Sequence, residues 1–235
     1  MFTGSLVALV TPFDGADRVD FESLKRLIDF HVEQGSDGLV IAGTTGESPT
    51  LRSSEHIELI GRALDLADGR IPVIAGTGSN STRQSIELSK VVADPRIAAY
   101  MAVVPYYNKP TQQGIYEHYT AIADAIDKPL LMYNVPGRTV ADMLPETVAR
   151  LAPHGNIFGL KEATGDMDRL EAIKALVDDD FMIYSGDDFT ACEFLERGGH
   201  GVVTVSGNVA PRQVASLCRC AREGKSDEAR ALDAT

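Results

Sequence analysis

Pro129-Leu130-Leu131-Met132-Tyr133-Asn134-Val135-Pro136-Gly137-Arg138 and, some twenty residues on, Ile157-Phe158-Gly159-Leu160-Lys161-Glu162-Ala163-Thr164-Gly165 are the two stretches whose reading decides the fold. Each begins as a short run that is apolar at successive positions and then breaks into polar and glycine-containing sequence. Successive apolar residues, as opposed to alternating ones, are expected of a parallel strand covered on both faces. Between the two stretches, Pro145 suits the first position of a helix, and the apolar residues after it recur with helical spacing. The segment therefore reads as a strand–helix–strand unit.

The same unit repeats in both directions along the chain. Apolar runs at 5–10, 38–41, 72–75, 98–104, 129–133, 157–160, 181–184 and 201–204 read as strands, with starts roughly 20 to 35 residues apart. The stretches between them read as helices. Asp20 can cap a helix carrying Phe21, Leu24, Leu27 and Ile28, which Gly35 stops. Ile115, Tyr119, Ile122 and Ile126 fall on one helical face, Leu170, Ile173 and Val177 form another stripe, and Pro211 opens a further helix. Eight such units predict a (β/α)₈ barrel. The competing architecture, an open doubly wound sheet, is marked by a glycine-rich phosphate turn after its first strand. Here Thr11-Pro12-Phe13-Asp14-Gly15 follows that strand, and no G-x-G-x-x-G occurs. The barrel is expected to occupy 1–224. Residues 225–235 read as the start of a C-terminal helical segment that is cut short and frays.

Composition narrows the function. Of 235 residues, 22 are Lys or Arg and 34 Asp or Glu, a net charge of −12, which argues against nucleic acid as a partner. The longest nearly unbroken apolar run, 97–107, is well short of the roughly 18 residues of a membrane span. No basic stretch precedes the apolar residues 6–10, so they do not read as a secretory signal. Three cysteines suit a reducing compartment, and a cytoplasmic protein is expected. The five histidines show no metal-ligand spacing with Cys or carboxylates, so no metal site is expected from them.

In a barrel the chemistry sits at the carboxyl ends of the strands. Those ends carry Gly43-Thr44-Thr45-Gly46-Glu47, Gly76-Thr77-Gly78-Ser79-Asn80, Pro105-Tyr106-Tyr107-Asn108, Tyr133 to Arg138, Lys161 to Gly165, and Ser185-Gly186-Asp187-Asp188. Lys161 continues an apolar run, so its side chain should enter the barrel mouth and lose hydration. Desolvation lowers a lysine's pKa, and a neutral amine attacks a ketone or aldehyde to form an imine, an electron sink. A structural lysine paired with Glu162 or another carboxylate is an equal alternative on position alone. Tyr133, at the end of the adjacent strand, is near enough to exchange protons with a group on that lysine, or else is a core tyrosine with its hydroxyl at the rim. Thr44 and Thr45 lie in a turn suited to a small carboxylate. Arg138 offers a fork for a second carboxylate, or an exposed salt bridge. Cys218 and Cys220 point to different helix faces and read as packing residues. Asp187 and Asp188 could form a paired-carboxylate site, but they sit where a helix N-terminus attracts acidic residues and read as a helix start.

Taken together, Gly43-Thr44-Thr45-Gly46-Glu47, Tyr133-Asn134-Val135-Pro136, Lys161-Glu162-Ala163-Thr164-Gly165 and Ser185-Gly186-Asp187-Asp188 resemble the Schiff-base class I aldolase superfamily and, within it, the dihydrodipicolinate synthase family, over the whole chain. The resemblance implies a lyase that condenses pyruvate with L-aspartate 4-semialdehyde to 4-hydroxy-tetrahydrodipicolinate, in the diaminopimelate route to lysine. It makes Lys161 the imine-forming residue and Tyr133 the proton donor and acceptor, with Thr44 and Tyr107 completing a relay. It also implies that no organic cofactor is needed, because the imine itself supplies the electron sink. Tyr107 would reach a neighbouring subunit's site, implying a homodimer or homotetramer. Thr45 and the backbone of Val203 would hold the pyruvate carboxylate, with Arg138 and Gly186 at the second substrate. The alternatives are another pyruvate-dependent aldolase, such as N-acetylneuraminate lyase or a keto-deoxy-sugar-acid aldolase, and a catalytically idle barrel with a binding or regulatory role. Ser48, His56, Asn80 and Tyr106 match an allosteric lysine site of regulated relatives, whereas Ser53 and Gln84 depart from its histidine and acidic residue.

Overall fold

The computed structural model describes residues 2–234. Strands β1 (Gly4–Ala8), β2 (Gly38–Ile41), β3 (Val73–Gly76), β4 (Ile97–Val103), β5 (Leu130–Asn134), β6 (Ile157–Glu162), β7 (Met182–Ser185) and β8 (Gly201–Thr204) are all parallel and follow one another around a closed barrel. β1 closes it against β8, with Leu6 opposite Val203. The expected (β/α)₈ architecture is therefore the observed one.

The continuous apolar runs arise because each strand feeds two cores. Side chains alternate across a strand. One set, including Leu6, Val40, Ile74, Met101, Leu131 and Val203, fills the barrel interior. The other, including Val7, Leu39, Ile41, Val73, Met132 and Leu160, packs outward against the helices. Those helices are α1 (Phe21–Gln34), α2 (Ser53–Ala67), α3 (Thr82–Val91), α4 (Gln112–Ala125), α5 (Pro136–Thr139), α6 (Pro145–Leu151), α7 (Met167–Lys174), α8 (Ala191–Glu196), α9 (Pro211–Arg222) and α10 (Ser226–Asp233). Asp20 caps α1 by accepting from the Ser23 amide, and Gly35 ends it with a left-handed φ of 81°.

Three strand ends differ notably from the sequence reading. β1 stops at Ala8, and the Val10 amide leaves the ladder to donate to Asn208 Oδ1. β5 and β6 instead run on through Asn134 and Glu162, polar residues that find partners across the ladder. Asp187 and Asp188 also part company. Asp187 precedes the 3₁₀ turn Asp188–Thr190 and accepts from the Thr190 hydroxyl. Asp188 opens that turn, but its Oδ2 accepts from the Val205 and Ser206 amides and the Ser206 hydroxyl, pinning the loop after β8.

α10 lies against α8 and α9, with Ala229 fully buried in a cluster with Cys192, Leu195 and Cys218 and Arg230 paired to Glu196 at 2.9 Å. Burial pushes the Cys218 thiol up to about 12, while Cys220 is only half-buried, consistent with packing roles. Among the described residues, no helix is long and apolar enough to cross a membrane, and no His, Cys, Asp and Glu side chains group as metal ligands.

Candidate active site

Tyr133 and Lys161 are directly opposite one another on β5 and β6. The pairing of these strands shifts register between Leu130 and Leu131, leaving Phe158 as an extra residue on β6. This bulge decides where the lysine points. Phe158 already faces the barrel interior, and strict alternation from it would send Lys161, three residues on, to the helix side. The extra residue resets the phase, so both face inward. Gly159 sits where the bulge brings β6 and β7 together; a Cβ there would lie 2.2 Å from the Met182 carbonyl oxygen.

Lys161 is 4% exposed, and among the described residues no carboxylate is within ion-pair distance of it. Its Nζ lies 4.1 Å from the centre of the Tyr133 ring. Burial brings its pKa down to about 7; Asp188 opposes the fall and the Arg138 charge adds to it. The paired-lysine alternative fails because Glu162 is on the opposite face of the strand. There Glu162 accepts from Asn134 Nδ2 at 3.0 Å and from the Thr164 amide at 2.9 Å. Gly186 is needed beside the lysine, since a Cβ at that position would sit 2.8 Å from Lys161 Cε.

Burial pushes the Tyr133 phenol above its ordinary value, partly offset by Arg138 and by a hydrogen bond with Thr44. The phenol is thus protonated at neutral pH and can give a proton. Thr44 is exposed in the turn after β2, where a Gly46 Cβ would be 2.9 Å from the Leu9 carbonyl oxygen. Thr45 is half-buried in the same turn, and Val203 is fully buried on β8. Arg138, on α5, is exposed and acts on both Tyr133 and Lys161. The structure therefore gathers Thr44, Tyr133, Lys161, Arg138 and Gly186 at one mouth. It does not bring Tyr107 there. That side chain is 86% exposed, on a residue with a left-handed φ of 74° whose amide donates to Thr139 O at 3.2 Å.

A cavity of about 740 Å³ runs from Thr44 and Arg138 past Ser48, His56, Gln84 and Tyr106. His56 Nε2 donates to the Gly76 carbonyl at 2.8 Å, and burial lowers its pKa. Gln84 Oε1 accepts from the Ser79 hydroxyl at 2.9 Å. Asn80 differs from the other residues of this expected group: its carbonyl accepts from Asn108 Nδ2 at 3.0 Å, and it does not line the cavity. Asp188 opens the helical turn expected of it, but its carboxylate also acts on Lys161, an effect the sequence reading did not assign; its place two residues after Gly186 was the available signal.

The dihydrodipicolinate synthetase family model matches residues 1–235. The chain belongs to that family. A 4-hydroxy-tetrahydrodipicolinate synthase of Pseudoalteromonas atlantica is 55% identical over 233 residues, covering 99% of this chain and 80% of the relative. The chloride-inhibited dihydrodipicolinate synthase of Acinetobacter baumannii, solved with pyruvate, superposes with a TM-score of 0.97 at 45% identity, covering 100% of this chain and 80% of that one. The enzyme from Cyanidioschyzon merolae, solved with lysine bound, gives 0.95 at 40% identity, covering 99% and 80%. The chain is thus an enzyme of this family, a lyase of the diaminopimelate route to lysine. The relatives named above carry the name of the condensing synthase, not of a sugar-acid lyase or of a non-catalytic barrel.

Proposed function

We propose that the chain condenses pyruvate with L-aspartate 4-semialdehyde through an imine on Lys161. The observation that carries this is a buried lysine with no carboxylate at ion-pair distance among the described residues, its Nζ over the ring of a buried tyrosine. The Nζ attacks the keto carbon of pyruvate, and loss of water gives the imine. Tyr133, hydrogen-bonded to Thr44, supplies and recovers the protons of these steps. Thr45 and the backbone of Val203 hold the pyruvate carboxylate. Loss of a proton from the former methyl carbon then gives an enamine, the imine acting as electron sink. Its carbon attacks the aldehyde of the semialdehyde, whose carboxylate is held by Arg138 as a charge-assisted pair beside the open backbone of Gly186. The amine of that substrate finally displaces Lys161 as the ring closes, so one water leaves per turnover and no cofactor is consumed.

The exposed Tyr107 fits a role in a neighbouring copy's site, and a homodimer or homotetramer is the assembly proposed. Residues 1–224 are the proposed catalytic barrel, residues 225–235 the start of a helical segment, and the cytoplasm the proposed location. Ser48, His56, Asn80 and Tyr106 are the proposed allosteric group, with Gln84 weakening its grip on lysine. Incubation with pyruvate followed by borohydride, with mass mapping of the product, tests the central step. A stable adduct on Lys161 is expected; an unmodified Lys161, or an adduct on another lysine, overturns it.

A further inference from the structure

Behind the catalytic pair, on the outer face of the same two strands, lies a polar cluster that the proposed chemistry does not use. Asn134 and Glu162 are opposite one another, one residue beyond Tyr133 and Lys161. Asn134 Nδ2 donates to Glu162 Oε2 and to Asp142 Oδ1, each at 3.0 Å, and its Oδ1 accepts from the Met143 amide at 3.0 Å. Arg169, from α7, grips Asp142 with both terminal nitrogens and brings its Nε to 3.9 Å from Glu162. Glu162 is almost wholly buried.

Two features give this cluster a task. The bulge at Phe158 makes the inward phase of Lys161 depend on the register above it, and the Asn134–Glu162 pair adds a side-chain bond to that register one residue beyond Lys161. In addition, Asn134 staples the start of the 135–143 loop to its end, and that loop carries Arg138 and accepts the Tyr107 amide at Thr139. We infer that Asn134, Glu162, Asp142 and Arg169 are positioning residues for the reaction, locking Lys161 to Tyr133 from behind and fixing the loop that presents Arg138. The inference rests on the roles proposed above for Lys161 and Tyr133. Misplacement of reacting groups by about 1 Å can cost on the order of 10²-fold in rate, so a clamp one residue away acts on turnover before it acts on folding.

The test is an exchange of the two facing side chains. Glu162→Gln sets an amide against the Asn134 amide, and Asn134→Asp sets a carboxylate against Glu162. The double variant Asn134→Asp/Glu162→Gln restores one amide and one carboxylate with their places swapped, while residue 134 keeps an acceptor for the Met143 amide. Each single variant is expected to lose about tenfold or more in kcat, with the KM for pyruvate moving less, and the double to recover several-fold over either. Arg169→Lys, which keeps the charge and loses the fork, is expected to show a smaller loss of kcat. Circular dichroism at the assay temperature selects the folded variants for comparison. Unchanged kcat in the folded single variants, or a double variant no better than the product of the two single losses, overturns the inference. Should both single variants fail to fold, Arg169→Lys decides, and unchanged kcat there overturns it. Borohydride trapping of the unsubstituted protein is run alongside. No adduct on Lys161 in that protein defeats the functional reading, whereas a normal adduct with indifferent variants defeats the clamp alone.

Discussion

Lys161 and Glu162 are neighbours in sequence, equally hidden from solvent, and opposite in how they bear it. On the inner face of β6 the lysine lies over an aromatic ring with no ion pair among the described residues, and burial lowers its pKa to about 7. On the outer face the carboxylate has an amide, a backbone N–H and a nearby guanidinium, and burial raises its pKa against the pull of all three. Burial without a partner yields a reactive group, and burial with partners yields a joint. One strand therefore supplies a nucleophile to one side and mechanical hold to the other.

The most forceful way to break the comparison is to remove the unpartnered group. Lys161→Met should abolish imine trapping and cost at least about 10³-fold in condensation rate. The same variant should be more stable to heat at pH 7 and below. The sign follows from linkage: the folded lysine has the lower pKa, so between about pH 7 and its ordinary value near 10.5 the unfolded chain binds more protons and stability rises with pH. Below that window both states are protonated and the full penalty of a buried ammonium remains. Unchanged or lower melting temperatures at pH 6 would mean that the lysine is not strained by its burial. In the intact protein, imine formation should quicken as pH rises through about 7.

Tyr133→Phe sharpens the contrast by leaving the lysine buried while removing its proton donor. A loss of about 10²–10³-fold in kcat is expected, with Lys161 still trapped slowly by borohydride. Arg138→Ala should act mainly on the second substrate. Losing a charge-assisted fork costs about 1.5–3 kcal/mol, roughly 10- to 150-fold in kcat/KM for the semialdehyde, while imine formation with pyruvate changes far less, through the loss of a charge that also bears on Tyr133 and Lys161. The smallest effect is expected in the side cavity, where Gln84 presents an amide. Gln84→Glu should tighten L-lysine binding by roughly tenfold in calorimetric titration, and micromolar inhibition of the unsubstituted protein would show that another residue serves instead.

The inner face was far more legible in the sequence than the outer. Apolar runs announced all eight strands, and a lysine at the end of such a run announced its own desolvation. Asn134 and Glu162 read as loop because a polar residue at a strand end looks no different from a turn until its partner is known. That partner is 28 residues away in the case of Asn134 and Glu162. Asp188 opens a helical turn as its sequence suggests, but its side-chain bonds were hidden for the same reason: they reach 17 and 18 residues forward, to Val205 and Ser206. Nor does the run Ile157-Phe158-Gly159-Leu160 reveal its bulge, since every residue in it is apolar or glycine and suits either face.

The pairing of β1 with β8 has a consequence for how the chain is made. Leu6 meets Val203 across the closing seam, so β1 waits for β8, nearly 200 residues later, before its second edge is covered. Until then an apolar edge is open on a nascent chain, able to pair with any other strand it meets. Completion of the barrel is thus a late, long-range event.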